Sequence, residues 1–157
     1  MPELKPPIKI LLADDDEDDC LFFQDALKEL PFTTLLQTVS NGDQLMQRLR
    51  DRQQFLPDLL FLDLNMPRKN GLDCLEKIKQ DRDLKGLFTA IYSTSLQRHI
   101  VDKLYEIGAH YYICKPASFS KLKKLIFKII NLKEADSNLQ PPRNMFVISQ
   151  EIFTNER

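Results

Sequence analysis

Five short apolar runs alternating with segments of helical spacing predict a doubly wound α/β domain, in which helices cover both faces of a parallel sheet. The runs are Ile8–Ala13, 33–39, Leu59–Leu62, 88–92 and Tyr111–Cys114. They are nearly continuous rather than alternating, and a strand with no polar side must bury both faces. The length of 157 residues suits one core, and a hydrophobic share of 43% beside a charged share of 29% is that of a soluble globular chain. In such sheets the crevice lies beyond the carboxyl ends of the strands, so chemistry is expected just after each apolar run.

The first run ends in Asp14, Asp15 and Asp16, followed by Glu17, Asp18 and Asp19. Helix capping accounts for Asp16 to Asp19, since carboxylates satisfy free amides at a helix start and suit its positive end. It accounts poorly for Asp14 and Asp15. Two carboxylates aimed at one crevice repel each other unless a cation sits between them. Phe23, Leu27 and Leu30 then mark the apolar stripe of the first helix.

The second run carries no candidate group, and Leu45, Met46 and Leu49 mark the helix after it. The third run delivers Asp63, followed by Leu64, Asn65, Met66 and Pro67, then Asn70 and Gly71. A turn acid beside a proline loop is the plain reading. Asp63 with Asp14 and Asp15 also makes a hard-oxygen site suited to magnesium, and the loop pattern of a calcium site is absent. Leu72, Leu75 and Ile78 predict the third helix.

The fourth run ends in Ser93, Thr94 and Ser95; capping of the next helix explains Thr94 or Ser95 well. Ile100, Val101, Leu104 and Ile107 give that helix its stripe. The fifth run ends in Lys115-Pro116, where a surface lysine beside a turn is the dull alternative. A final helix follows through Phe119, Leu122, Ile126 and Ile129, with Lys121, Lys123, Lys124 and Lys128 on its wet side. Acid pair, aspartate, hydroxyl and lysine thus fall at the ends of runs one, three, four and five, on one edge of one sheet.

The totals exclude several classes. Twenty-two basic against twenty-three acidic residues leave a net charge of -1, without the basic field of a nucleic-acid binder. Cys20, Cys74 and Cys114 are odd in number and far apart, which argues against disulfides or zinc and for a reducing compartment, with each cysteine a small buried hydrophobe. The start of the chain has neither a signal-peptide pattern nor an apolar run of membrane-spanning length, so the expected location is cytoplasmic, with no membrane or DNA partner. His99 and His110 are read as surface or packing residues.

The stretches LLADDDEDD, LLFLDLNMPRKNG, AIYSTS and YYICKPAS resemble the receiver domains of bacterial response regulators over residues 8–131. Thirty residues separate Asp63 from Ser93 and twenty-two separate Ser93 from Lys115, as is usual in that family. The resemblance implies a flavodoxin-like, five-stranded parallel sheet of order 2-1-3-4-5 with five helices. It implies Asp63 as phospho-acceptor, Asp15 as principal metal carboxylate with Asp14 beside it, and the Asn65 carbonyl as a backbone ligand of magnesium or manganese. Ser93 and Lys115 would grip the phosphoryl oxygens. Ser93 would draw its loop toward the new dianion, and Tyr112 would fill the space opened beneath it, although strand packing explains Tyr112 almost as well.

Further expectations follow from the same resemblance. A histidine kinase or histidine phosphotransfer protein would supply the phosphoryl group, and an unknown downstream protein would read the result. The chain would be a monomer or a weak dimer through the face of helix 4, strand 5 and helix 5, although the lysines there serve equally as a solvated face. It would not be an enzyme in the ordinary sense, but would label itself from small donors and lose the group slowly. Ser93 replaces the commoner threonine, Thr94 is bulkier than the usual neighbour, and Asn65 and Ser95 occupy positions that tune the lifetime. A dehalogenase-type phosphatase needs a second aspartate where Asn65 stands. A degenerate receiver acting only as an interaction module is the remaining alternative, and no glycine-rich loop supports nucleotide binding. Residues 132–157 form a tail too short for an output domain. The sequence leaves open whether this tail lacks fixed structure or lays 145–148 against the body as a strand.

Overall fold

A computed structural model describes residues 5–135 and 139–148. Five strand-helix units follow in order: β1 Ile8–Ala13, α1 Glu17–Lys28, β2 Thr34–Val39, α2 Gly42–Arg50, β3 Leu59–Leu62, α3 Gly71–Gln80, β4 Phe88–Ser93, α4 Arg98–Ile107, β5 Tyr111–Cys114 and α5 Phe119–Ala135. A 3-10 turn at Arg143–Met145 then leads into a short β6, Val147–Ile148. The sheet is parallel throughout, in the order β2-β1-β3-β4-β5-β6. The five-stranded order read from the sequence is therefore present, extended at the β5 edge by one strand.

Burial on both faces, expected of every run, holds for the central strands and fails at β2, which lies at the sheet edge. Every residue of β3 and β4 is buried, while the edge strand β2 alternates between half-buried and exposed. Phe23, Ala26 and Leu27 of α1 pack with Leu122, Leu125, Ile126 and Ile129 of α5 on one face, around Phe61 and Tyr92. Leu45 of α2, Leu75 and Ile78 of α3, and Val101 and Leu104 of α4 cover the other.

The helix starts are set by side chains that satisfy free backbone amides. Asp16 accepts from the Asp19 amide at 3.1 Å, Asn41 from Gln44 at 2.9 Å and Asn70 from Asp73 at 2.9 Å. The expected cap by Thr94 or Ser95 is not found. Gln97 is the residue before α4 and makes no side-chain cap bond, because the loop from Ser93 runs on for four residues before the helix begins. At its far end α4 stops at Gly108, whose φ of 119° suits a residue without Cβ, and whose amide returns to the Leu104 and Tyr105 carbonyls.

The segment 139–148 is built onto the α4 and β5 side. Gln140 Nε2 donates to the Tyr105 and Ala109 carbonyls, both at 2.7 Å, satisfying acceptors at the end of α4. The Tyr105 hydroxyl donates to the Pro141 carbonyl at 2.7 Å, and Arg143 pairs with Asp102 at 2.6 Å. Phe146, fully buried, sits edge-on to Tyr105 at 5.1 Å, and its carbonyl accepts the Tyr112 amide at 2.9 Å. Of the two readings left open for the tail, the strand describes Val147–Ile148. Residues 136–138 and 149–157 lie outside the described residues.

Candidate functional site

Strand register brings the candidate residues to one edge. β1 and β3 are neighbours with Ala13 opposite Leu62, so Asp14 and Asp63 emerge side by side, and the Asp63 amide donates to the Ala13 carbonyl at 2.9 Å. Ser93 lies opposite Cys114 in the β4-β5 pair, and the Lys115 amide donates to the Ser93 carbonyl at 2.9 Å. The reversal of strand order falls between β1 and β3, the expected place for a ligand crevice.

Asp14, Asp15 and Asp63 each present a carboxylate oxygen, and these oxygens lie within 4.8 Å of one another. Asp14 and Asp63 are buried, whereas Asp15 faces solvent and leaves an entry side. Such a trio fits a hard divalent cation that keeps some of its waters. The Asn65 amide donates to Asp63 Oδ1 at 3.2 Å, so the Asn65 backbone borders the same pocket.

Lys115 closes the pocket. Its Nζ donates to Asp14 Oδ2 at 2.8 Å, Asp19 Oδ2 at 2.9 Å and Asp63 Oδ2 at 3.4 Å, and stands 4.9 Å from the Tyr92 ring centre. Burial works to lower the Lys115 pKa, but the hydrogen bonds to Asp14 and Asp19 and the charge of Asp63 outweigh it and hold the ammonium protonated. Burial pushes the Asp63 carboxyl up to about 6, against the opposing pull of Lys115 and the Asn65 amide. Asp63 is thus poorly stabilised as an anion until more positive charge arrives.

Ser93 is buried at the end of β4; its Oγ accepts the Ser95 amide at 3.4 Å and lies 3.3 Å from Ser95 Oγ. The Tyr112 ring is buried as well, and its hydroxyl donates to the Ser95 carbonyl. Ring and loop are therefore in direct contact, on the strand and at the position read from the sequence. Phe146 backs the same ring at 6.4 Å.

Gly71 fits α3 closely against the end of β3. A Cβ there would collide with the Asp63 carbonyl and meet Leu64 Cα at 2.8 Å. Asp19, an acid that helix capping explains in the sequence, belongs to the pocket as well. Asp16 alone makes the side-chain cap, and Asp19 faces Lys115. No local signal marks it, since Asp15 and the cap Asp16 precede α1 and a spacing of four from Asp15 sets no shared helix face.

The remaining histidines and cysteines lie in the packing or at the surface. His110 is buried, stacks on Phe88 at 4.4 Å and accepts the Thr89 amide on Nδ1, while His99 is exposed. Cys20, Cys74 and Cys114 form no disulfide; only Cys74 is buried as expected, Cys20 and Cys114 being half-buried, and burial pushes Cys20 and Cys74 up to about 11, far from thiolate reactivity at neutral pH. Among the described residues no helix is long and apolar enough to cross a membrane.

Comparison with known proteins agrees with this geometry. Residues 10–127 match the response regulator receiver domain family. Response regulator Rcp1 of Synechocystis is 31% identical over 128 residues, spanning 79% of this chain and 87% of that protein. The probable methanogenesis regulatory protein FilR2 of Methanothrix harundinacea is 27% identical over 81% of this chain and 84% of its own length. Among solved structures, the phosphorylated cyanobacterial phytochrome response regulator RcpA superposes with a TM-score of 0.73 at 29% identity, over 87% of this chain and all 100% of that one. The manganese-bound form of Rcp1 gives a TM-score of 0.72 at 27% identity, over the same shares.

Proposed function

The chain belongs to the response regulator receiver family, and on that footing we propose that Asp63 is the aspartate that takes the phosphoryl group. It is a receiver of two-component signalling, a class that accepts a phosphoryl group on aspartate and binds a divalent metal. The observation that carries the assignment is the convergence of Asp14, Asp15, Asp63 and Lys115 on one pocket at the switch point of the sheet.

A carboxylate oxygen of Asp63 attacks phosphorus in line with the departing group, forming an acyl phosphate and releasing the donor's leaving group. Lys115 offsets the charge gathered on the phosphoryl oxygens, and the Ser93 hydroxyl turns from the Ser95 amide to donate to one of them. Asp14, Asp15, Asp63 and the Asn65 carbonyl would hold magnesium, with manganese fitting the same oxygens, and the bound ion supplies the rest of the charge neutralisation. Water later hydrolyses the acyl phosphate, so the protein resets itself slowly.

The donor in this reading is a histidine kinase or a histidine phosphotransfer protein, and the location is cytoplasmic, in keeping with cysteines that form no disulfide. Output passes through α4, β5 and α5 to a downstream protein. Residues 139–148 already cover the α4 and β5 part of that face, so a partner or second copy meets this segment together with α5.

Intact mass after incubation with acetyl phosphate and magnesium tests the assignment. One added phosphoryl group is expected on the wild type and none on Asp63→Asn. Equal labelling of both rejects the site, and labelling of neither leaves an interaction module that takes no phosphate.

A further inference from the structure

We propose that Asp19 is a positioning residue for Lys115, the carboxylate partner that keeps this ammonium in place when a divalent cation draws on the others. The inference rests on the assignment of Asp63 as acceptor and adds a residue to that machinery. Lys115 Nζ has three N–H donors, and Asp14, Asp19 and Asp63 take all three, at 2.8, 2.9 and 3.4 Å. Asp14 and Asp63 also belong to the trio of carboxylates suited to a cation, and Asp19 does not. A dication competes for a carboxylate more strongly than an ammonium does, so filling the pocket weakens the hold of Lys115 on Asp14 and Asp63. The bond to Asp19 survives. It leaves the other donors of Nζ free to meet an oxygen of the group carried by Asp63.

Local structure holds Asp19 to this task. Its amide is pinned by Asp16 at 3.1 Å, which fixes the first turn of α1, and the next residue, Cys20, turns its Sγ to the Asp14 carbonyl at 3.6 Å. The Lys115 side chain is only 9% exposed and that of Asp19 38%, so the pair bridges the pocket and the protein surface. Ion pairs between two exposed side chains are worth little. Here one partner is a buried cation in the reacting site, and loss of Asp19 would disturb where Nζ stands more than whether the chain folds. The acid is also replaceable at constant size, since Asn keeps the volume of Asp19 and removes its charge.

Two readouts on the full chain test the proposal, each comparing wild type with Asp19→Asn and Asp19→Glu. The first needs no phosphodonor: an N-hydroxysuccinimide acetate acetylates amines, and labelling of the Lys115 peptide is followed by mass spectrometry. At saturating magnesium, Asp19→Asn is expected to be labelled severalfold faster than wild type, with a much smaller difference in EDTA, where Asp14 and Asp63 still hold the ammonium. Asp19→Glu should stay close to wild type. Equal Lys115 labelling of wild type and Asp19→Asn in magnesium would overturn the proposal, provided their unfolding curves coincide.

The second readout is phosphorylation by acetyl phosphate. The maximal rate is expected to fall about tenfold in Asp19→Asn, with the half-saturating magnesium concentration unchanged and partial rescue by Asp19→Glu. A raised magnesium requirement at an unchanged maximal rate would make Asp19 a metal ligand and overturn the positioning role. Should the wild type take no phosphoryl group, the assignment of Asp63 fails, and the labelling of Lys115 still decides the case of Asp19.

Discussion

The Lys115 ammonium stands 3.4 Å from Oδ2 of Asp63, a residue 52 positions earlier in the chain. Neither group can be explained alone. A buried carboxylate needs a counter-charge, and a buried ammonium needs acceptors. The cation side here is one lysine, while the anion side is Asp14, Asp19, Asp63 and the nearby Asp15. The excess of negative charge is what a divalent cation would relieve.

The stability of the metal-free protein should therefore depend on Asp63. Its carboxyl is pushed up to about 6 from 3.8, so between these values the folded state binds more protons than the unfolded one. The contribution is full below the lower value, is lost as pH rises from there through 6 and stays absent above it, a difference of roughly 3 kcal/mol. Asp63→Asn is expected to be more stable than wild type in urea at pH 8 without metal. The advantage should vanish at pH 4, and it should shrink with excess magnesium. A variant no more stable than wild type at pH 8 would mean that Lys115 already balances the charge.

His110 should act in the opposite direction. Burial, aided by the charge of Lys79, lowers its pKa to about 4 from 6.5. Between those values the unfolded state binds the extra proton, so stability is lost as pH falls from 6.5 towards 4, by roughly 3 kcal/mol. Asn at this position keeps an acceptor for the Thr89 amide without titrating. His110→Asn is expected to flatten the acid side of the stability curve. An unchanged slope would place the acid sensitivity elsewhere.

Gly71→Ala should disturb Asp63 without changing a charged group. The added methyl meets the Asp63 carbonyl and Leu64, both of them backbone that cannot rotate away. Overpacking of this kind costs about 1–3 kcal/mol. We expect that loss in chemical denaturation together with slower uptake of phosphate from acetyl phosphate. Normal uptake at reduced stability would show that the strain relaxes into α3 instead of β3.

Phe146→Ala should free the 139–148 segment and leave the body folded. Truncating a buried phenylalanine costs about 3 kcal/mol or more, roughly a hundredfold in a local opening equilibrium. Hydrogen exchange at the Tyr112 amide, which donates to the Phe146 carbonyl, is expected to accelerate on that scale, with the β4 amides unchanged. An unchanged rate at Tyr112 would show that Gln140 and Arg143 suffice to hold the segment.

Much of the site was legible in the sequence because its side chains follow directly on buried strands. Asp14, Asp63, Ser93 and Lys115 fall at or just beyond strand ends, where parallel register alone brings them to one edge. Asp19 was not legible, because its direction depends on how α1 packs against α5 and the end of β5, and helix capping was a sufficient explanation for an acid in a first turn. The acceptor of the Tyr112 hydroxyl was hidden for another reason: it is the backbone carbonyl of Ser95, a group that every residue carries. The sixth strand is only two residues long, and its place is fixed by Phe146, Arg143 and Gln140 packing onto α4 and β5, contacts that no local pattern encodes.

The most direct measurement is to treat the protein with acetyl phosphate and magnesium, reduce it with borohydride and map the product by peptide mass spectrometry. Borohydride converts an aspartyl phosphate to homoserine, so the modified residue is recorded in the sequence itself. Homoserine at Asp63 alone is expected. Homoserine at Asp14, Asp15 or another carboxylate, with Asp63 intact, would contradict the assignment of the acceptor and the pocket built around it.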